Sequence, residues 1–164
     1  MDCGIQVKDS VVEAFNLMKI VSRKSEQRRK FLCLRVSDDD RYVIVNEEFD
    51  NEEFDNVKKP SEDDFLKFLS YLKSDCCCIV IYDVCYETTN SLVKDDLVIV
   101  NWCPEKAPAK QKLQFASAIN IVKTKLQGVK ATLQFNSMED VSRSAVAEKL
   151  GKDVVKVEGV KVEE

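Results

Sequence analysis

Seven cysteines and the run Lys110-Gln111-Lys112-Leu113 are the groups in this 164-residue chain best able to react or bind. The cysteines have no catalytic company. The chain contains no histidine, which removes Ser-His-Asp and Cys-His nucleophilic sites, histidine metal ligands and a histidine pH switch. The cysteines are irregularly spaced, and Cys76, Cys77 and Cys78 are consecutive. Neighbours on a strand point to opposite faces, so these three are not placed to ligate together. All seven read as reduced thiols, mostly small core hydrophobes. The four glycines, Gly4, Gly128, Gly151 and Gly159, cannot build a P-loop or a GxGxxG turn. These absences argue against a thiol or metal enzyme and against common nucleotide hydrolases. No enzymatic activity, metal or cofactor is expected.

The lysines raise a different question. They fall in the first turn of a helix predicted to run from the prolines of "CPEKAP" to about Leu126, with Gly128 as its stop. A helix N-terminus is already electropositive, so each cation there costs a few tenths to about 1 kcal/mol. At 100° per residue, Phe115, Ile119, Val122 and Leu126 form a core stripe. Lys110, Leu113, Ser117, Asn120 and Thr124 lie on the far side. One exposed leucine commonly means nothing. Framed by lysines at a helix start, Leu113 also has the form of an apolar plug in a protein-binding hot spot. The wheel leaves both readings open.

The elements that must position this helix follow from patterning. The formal net charge is −4, so bulk electrostatics do not favour nucleic acid. There is no N-terminal apolar signal-like segment, and the longest clean apolar run, "CCCIVIY", is too short to span a bilayer. An intracellular protein is expected. Residues 9–21 read as a helix with a Ser10/Glu13 capping box. "FLCLRV" (31–36) and "YVIVN" (42–46) read as a hairpin. An acidic loop (46–60) carries the duplicated "NEEFD"; it lacks the glycine and ligand spacing of a calcium loop. A second helix starts at Pro60–Ser61, with Ser61 as cap and Asp64 in the capping box, and has the stripe Phe65, Phe68, Leu69, Leu72. Strands follow at 76–87, 96–102 and 129–135, a short helix at 142–150, and an edge strand or loose tail at 152–164. The order implies one α/β (α+β) domain, a mixed sheet of about five strands with helices on both faces.

"DLVIVNWCPEKAPAKQKLQFASA" resembles the signature of the actin-depolymerising factor/cofilin family: a strand ending in an aromatic, a P-x-x-A-P turn, K-x-K, a bulky apolar residue and Y/F-A-S. "YDVCYET", "KDDLV", "AEKLG" and the opening "GIQVKDSVVEAF" are similar to further family segments, so the resemblance spans nearly the whole chain. It implies a single ADF-homology domain with a flexible N-terminal arm (1–8). It implies binding to monomeric and filamentous actin, with filament severing and depolymerisation. The alternative within the fold is a non-severing monomer sequesterer or a glia-maturation-factor-like regulator of branched filaments. By position, the resemblance places actin contacts at Gly4, Ile5, Lys110, Lys112, Leu113 and Ser117. It places filament contacts at Lys94, Asp96, Glu139, Arg143, Glu148 and Lys149. Anionic phosphoinositides would compete at Lys110, Lys112, Lys123 and Lys125. A cytoplasmic monomer associated with the actin cytoskeleton is the implied state.

Four departures bear on regulation. Cys3 stands where vertebrate members carry a phosphorylatable serine, so inhibitory phosphorylation of the arm is not expected. Ala131 stands at the place of a histidine linked to pH-sensitive activity. Val93 replaces an expected basic residue on the hairpin before the "DLV" strand. The nuclear-import-type basic run is reduced to "RRK" at 28–30.

Overall fold

The computed structural model describes residues 4–20, 29–49 and 63–162. Cys3, Ser61 and residues 50–55, the end of the first "NEEFD" and all of the second, lie outside them. The first described elements are a short strand β1 (Gln6–Val7), helix α1 (Asp9–Ile20) and the hairpin strands β2 (Phe31–Val36) and β3 (Tyr42–Val45). Helix α2 (Asp64–Ser70) precedes the long hairpin of β4 (Cys78–Thr88) and β5 (Val93–Trp102). Then come α3 (Ala109–Lys125), β6 (Ala131–Phe135), α4 (Arg143–Leu150), β7 (Val154–Val157) and β8 (Val160–Lys161).

The strands form one mixed sheet in the order β1-β3-β2-β4-β5-β6, with β7 on β4 and β8 on β7. The sheet has eight described strands rather than about five. Of the additions, β1 has two residues, too short to show a readable alternation, while β7 and β8 fall in the 152–164 segment expected as an edge strand or loose tail. β5–α3–β6 is a parallel crossover between neighbours. β3–α2–β4 is not, because β2 lies between β3 and β4 and is antiparallel to both.

Period-2 geometry divides the core. From β4, Cys78, Val80, Tyr82 and Val84 enter one apolar layer together with Phe65 and Phe68 of α2 and Val146 and Leu150 of α4. Ile79 and Ile81 enter the other, with Val11, Phe15 and Met18 of α1 and Phe115, Ala118 and Val122 of α3. Burial on both faces explains why β4 reads as a continuous apolar run rather than an alternating one. The consecutive cysteines obey the same rule: Cys77 belongs to the second layer and Cys78 to the first.

Two helix starts differ from expectation. α1 begins at Asp9, so Ser10 and Glu13 are inside the helix rather than capping it, and the Lys8 carbonyl accepts from the Val11 amide at 3.0 Å. In α2 the cap is Asp63, whose carboxylate accepts from the Phe65 amide at 3.1 Å. Asp64 is the first helical residue and is buried. An acidic side chain preceding an apolar stripe satisfies the same unpaired amides that Ser61 was expected to serve.

The C-terminal segment is an edge hairpin built into the sheet. β2 covers only the first part of β4, and β7 takes over along Tyr86–Thr88. Val157 is fully buried. Next to it, Glu158 accepts from the Lys30 ammonium and from the Cys85 amide, both at 2.9 Å. Both side chains of this ion pair are almost wholly buried. Lys30 is therefore not part of an accessible basic run.

Candidate functional site

α3 lies against its sheet face through Phe115, Ala118, Val122 and Leu126, while Ile119 is only partly buried. The opposite ridge presents Lys110, Asn120 and Thr124 to solvent and leaves Ser117 half-exposed. Leu113 on that ridge is 74% exposed.

The turn before α3 fixes its start. The Cys103 amide bonds the Phe135 carbonyl at 3.0 Å, tying the end of β5 to β6, and the Ala107 amide closes a turn onto the Pro104 carbonyl at 3.1 Å. Pro108 precedes the first turn with no side-chain cap, so the leading amides remain electropositive. The Lys112 ammonium donates back to the Glu105 carbonyl at 2.6 Å. The Lys110 ammonium is 3.3 Å from Asp40 Oδ2, and the Gln114 amide donates to the other oxygen of the same carboxylate. The electrostatic cost expected for lysines in this turn is thus offset by an acid from the β2–β3 turn and by a turn carbonyl. Nothing in the local sequence signals this role for Asp40.

Asp40 adopts φ +63°, a conformation that aspartate tolerates better than most residues. Its turn is braced by Asp39, which accepts from the Ser37 hydroxyl at 2.6 Å and the Arg41 amide at 3.1 Å. The Ser37 hydroxyl, and then the Arg41 amide, hold the Asp39 carboxyl below its ordinary value. The same turn holds the N-terminal segment, since the Gln6 amide bonds the Arg41 carbonyl at 2.8 Å. The β2–β3 turn therefore joins the arm to α3. A cleft of about 650 Å³ opens between this turn and the start of α3, lined by Arg35, Asp40, Glu47, Cys77, Lys110 and Gln111 among others.

Of the two expected arm contacts, Gly4 is exposed, with φ +82° and open space around it. Ile5 is not: it is buried in the α1/α3 layer. Its place in the site is to anchor Gly4, because residues 6–7 are a strand rather than a loose arm.

The second set of charges divides likewise. Lys94, Glu139, Glu148 and Lys149 are exposed. Asp96 accepts from the Tyr86 hydroxyl at 2.5 Å, across the β4–β5 pair. Arg143 is held within the fold: its guanidinium donates to the Val157 carbonyl at 2.9 Å, pairs with Asp63 and lies over the Phe65 ring. The four lysines expected to meet phosphoinositides do not form one patch. Lys110 and Lys112 are at the start of α3, and Lys123 and Lys125 at its end, separated by about 20 Å at 1.5 Å per residue.

Among the described residues no helix is long and apolar enough to cross a membrane. Also among them, no group of three or more Cys, Asp or Glu side chains could hold a metal ion.

Solved structures share this fold. The cofilin of Streptomyces griseoflavus superposes with a TM-score of 0.71 at 23% identity, covering 92% of this chain and 99% of that one. The actin depolymerization factor 2 of Plasmodium berghei gives 0.72 at 19% identity, covering 92% and 99%. Coactosin from Entamoeba histolytica gives 0.65 at 15%, covering 90% and 94%. A family model described as "Cofilin/tropomyosin-type actin-binding protein" matches residues 4–151. With α3, the turn before it and strands β1 to β6 inside that match, the chain belongs to the cofilin/ADF family.

Proposed function

We propose that this chain binds monomeric and filamentous actin through Gly4, Lys110, Lys112, Leu113 and Ser117, and severs and depolymerises filaments without catalysing a reaction. The observation that carries the reading is Leu113, 74% exposed on a helix whose neighbouring lysines are held in place by Glu105 and Asp40. A large apolar side chain held out by a rigid element, with donors around it, is the form of an interface anchor. An acidic actin surface would complement the positive end of α3. The protein would act on the cytoplasmic actin cytoskeleton, and anionic phosphoinositides would compete at Lys110 and Lys112 more than at Lys123 and Lys125.

A second reading within the family is a monomer binder that does not sever. Val93 favours it, being 62% exposed on the hairpin where a cation would hold a neighbouring subunit. The internal engagement of Asp96 and Arg143 favours it too. Filament co-sedimentation with imaging of single filaments separates the two. The severing reading expects the protein in the pellet and a rising number of breaks per filament length. Monomer binding with neither result would leave the second.

A further inference from the structure

β4 and β5 are joined in a regular antiparallel register that ends at Cys78 opposite Trp102. One step further, the register places Cys77 opposite Cys103. Neither amide turns toward the other strand: the Cys77 amide donates to Gln111 Oε1 at 2.8 Å and the Cys103 amide to the Phe135 carbonyl at 3.0 Å. That is the pattern of a non-hydrogen-bonded cross-strand pair, in which opposed side chains approach most closely. Both side chains join the α1/α3 layer, and the Cys103 thiol donates to Asn101 Oδ1 at 3.9 Å. Cα separations typical of such pairs fall within the range that a disulfide spans. Cys77 also borders the cleft beside Lys110, and Cys103 lines a second surface cavity beside Lys112.

We propose that Cys77 and Cys103 are a reversible dithiol–disulfide couple beneath the docking end of α3, oxidised by low-molecular-weight disulfides; the effect on binding rests on the actin reading above. The half-exposed Cys103 reacts first. Its thiolate attacks one sulfur of glutathione disulfide, forming a mixed disulfide and releasing one glutathione. Cys77 then loses its proton and attacks Cys103 Sγ, releasing the second. Two protein thiols are oxidised, one glutathione disulfide becomes two glutathiones, and the two protons end on these products. Burial, followed by the neighbouring Cys103 thiol, pushes the Cys77 thiol up to about 12. Closure is therefore slow near neutrality and faster as pH rises.

The position gives the bond a consequence. Cys103 is joined to Pro104, which opens the turn whose Glu105 carbonyl holds Lys112, and Cys77 holds Gln111. Covalent closure moves both supports of the first turns of α3 and draws Lys112 out of its place beside Leu113.

The test uses the full chain in buffer rich in glutathione disulfide, mapped by mass spectrometry of unreduced peptides. A Cys77–Cys103 cross-linked peptide is expected. It should form faster from about pH 7 to about pH 9, be reversed by dithiothreitol, persist in Cys76→Ser and be absent from Cys103→Ser. No cross-link, or a Cys76–Cys77 link instead, overturns the couple. After removal of glutathione, labelled actin monomer is titrated with each form. The oxidised protein should bind roughly threefold to tenfold more weakly, the scale of one lost hydrogen bond, with Cys103→Ser unaffected by the oxidant. Equal affinity of the oxidised and reduced forms overturns the switch and leaves the actin reading intact. Binding by neither form overturns the actin reading, and the mapping still decides the couple.

Discussion

Leu113 and Lys30 are opposite uses of a single side chain. Leu113 contributes almost nothing to the fold, so Leu113→Ala should leave the thermal midpoint within experimental error. Actin monomer affinity should fall by about 2 kcal/mol, the threshold of an interface hot spot; a titration with labelled actin measures it. Lys110→Ala with Lys112→Ala should cost roughly 1–3 kcal/mol of binding, the range for charge-assisted hydrogen bonds. Lys30 contributes to folding. Lys30→Met leaves the buried Glu158 carboxylate without its ammonium and should cost about 3–5 kcal/mol in urea unfolding near neutral pH. Burial pushes the Glu158 carboxyl above its ordinary value of 4.5, and Lys30 only partly offsets this. The folded state then holds the proton to higher pH than the unfolded state does. The stability from this group is full below 4.5 and falls as pH rises through the folded value. Wild-type protein should accordingly lose stability relative to Glu158→Gln over that rise. At this scale the exposure of Leu113 is legible in the sequence, because a helix wheel needs only local residues. The Lys30–Glu158 pair is not, since its members are 128 positions apart and nothing in either neighbourhood names the other.

α3 shows how an element is tuned by a distant turn. The Asp40 carboxylate holds Lys110 and Gln114, and Gln114 is 74 positions away in the chain. Lys110 and Asp40 are both substantially exposed, so their ion pair contributes at most about 1 kcal/mol. Asp40→Asn keeps the turn conformation and should change unfolding stability by less than that. It should also steepen the salt dependence of actin affinity, since Lys110 then meets actin uncompensated. At the other end, the Lys19 ammonium of α1 donates to the Gln127 carbonyl at 3.1 Å, a cation where the helix dipole favours one. Gly128, with φ +98°, turns the chain toward β6. α3, with a long stripe and the stop at Gly128, was readable from periodicity, and α4 as a short helix ended by Gly151. α1 and α2 were readable in existence but not in their caps, because several polar residues near each start could meet the same amides. Two-residue strands such as β1 carry no pattern of their own; the β2–β3 turn makes β1 by offering the Arg41 carbonyl. That is why Ile5, expected on an arm surface, belongs to the core.

The whole molecule is a sheet between two apolar layers, with α3 on one side and α4 on the other. The fold class was legible because the strand and helix order admits few topologies, and the family resemblance agreed with it. An edge strand was one of two readings of the tail; its pairing with β4 was not legible, since charged alternation suits a solvated edge and a loose end alike. Ending the chain after Gly151 should remove Val157 from the core, worth about 1.5–3 kcal/mol, and leave Lys30 buried without Glu158. Loss of the cooperative urea transition, or a midpoint greatly lowered, is the expected result. The molecule also has no histidine, so actin binding should vary little through its own groups between about pH 6.5 and 8. Ala131, half-buried at the start of β6 opposite Val98, offers a place to introduce a response. Ala131→His should make filament disassembly more pH-dependent than in the wild type.

The split partnership of β4 has a further consequence during synthesis. Its first half meets β2, made earlier, and its other edge meets β5, made directly afterwards. The stretch Tyr86–Thr88 waits for β7, which follows only after β5, α3, β6 and α4. At about 5–20 residues per second, that interval lasts seconds on the ribosome. Throughout it a bare strand edge is open to any passing chain. The nascent protein is therefore most in need of a chaperone between the emergence of Tyr86–Thr88 and that of β7.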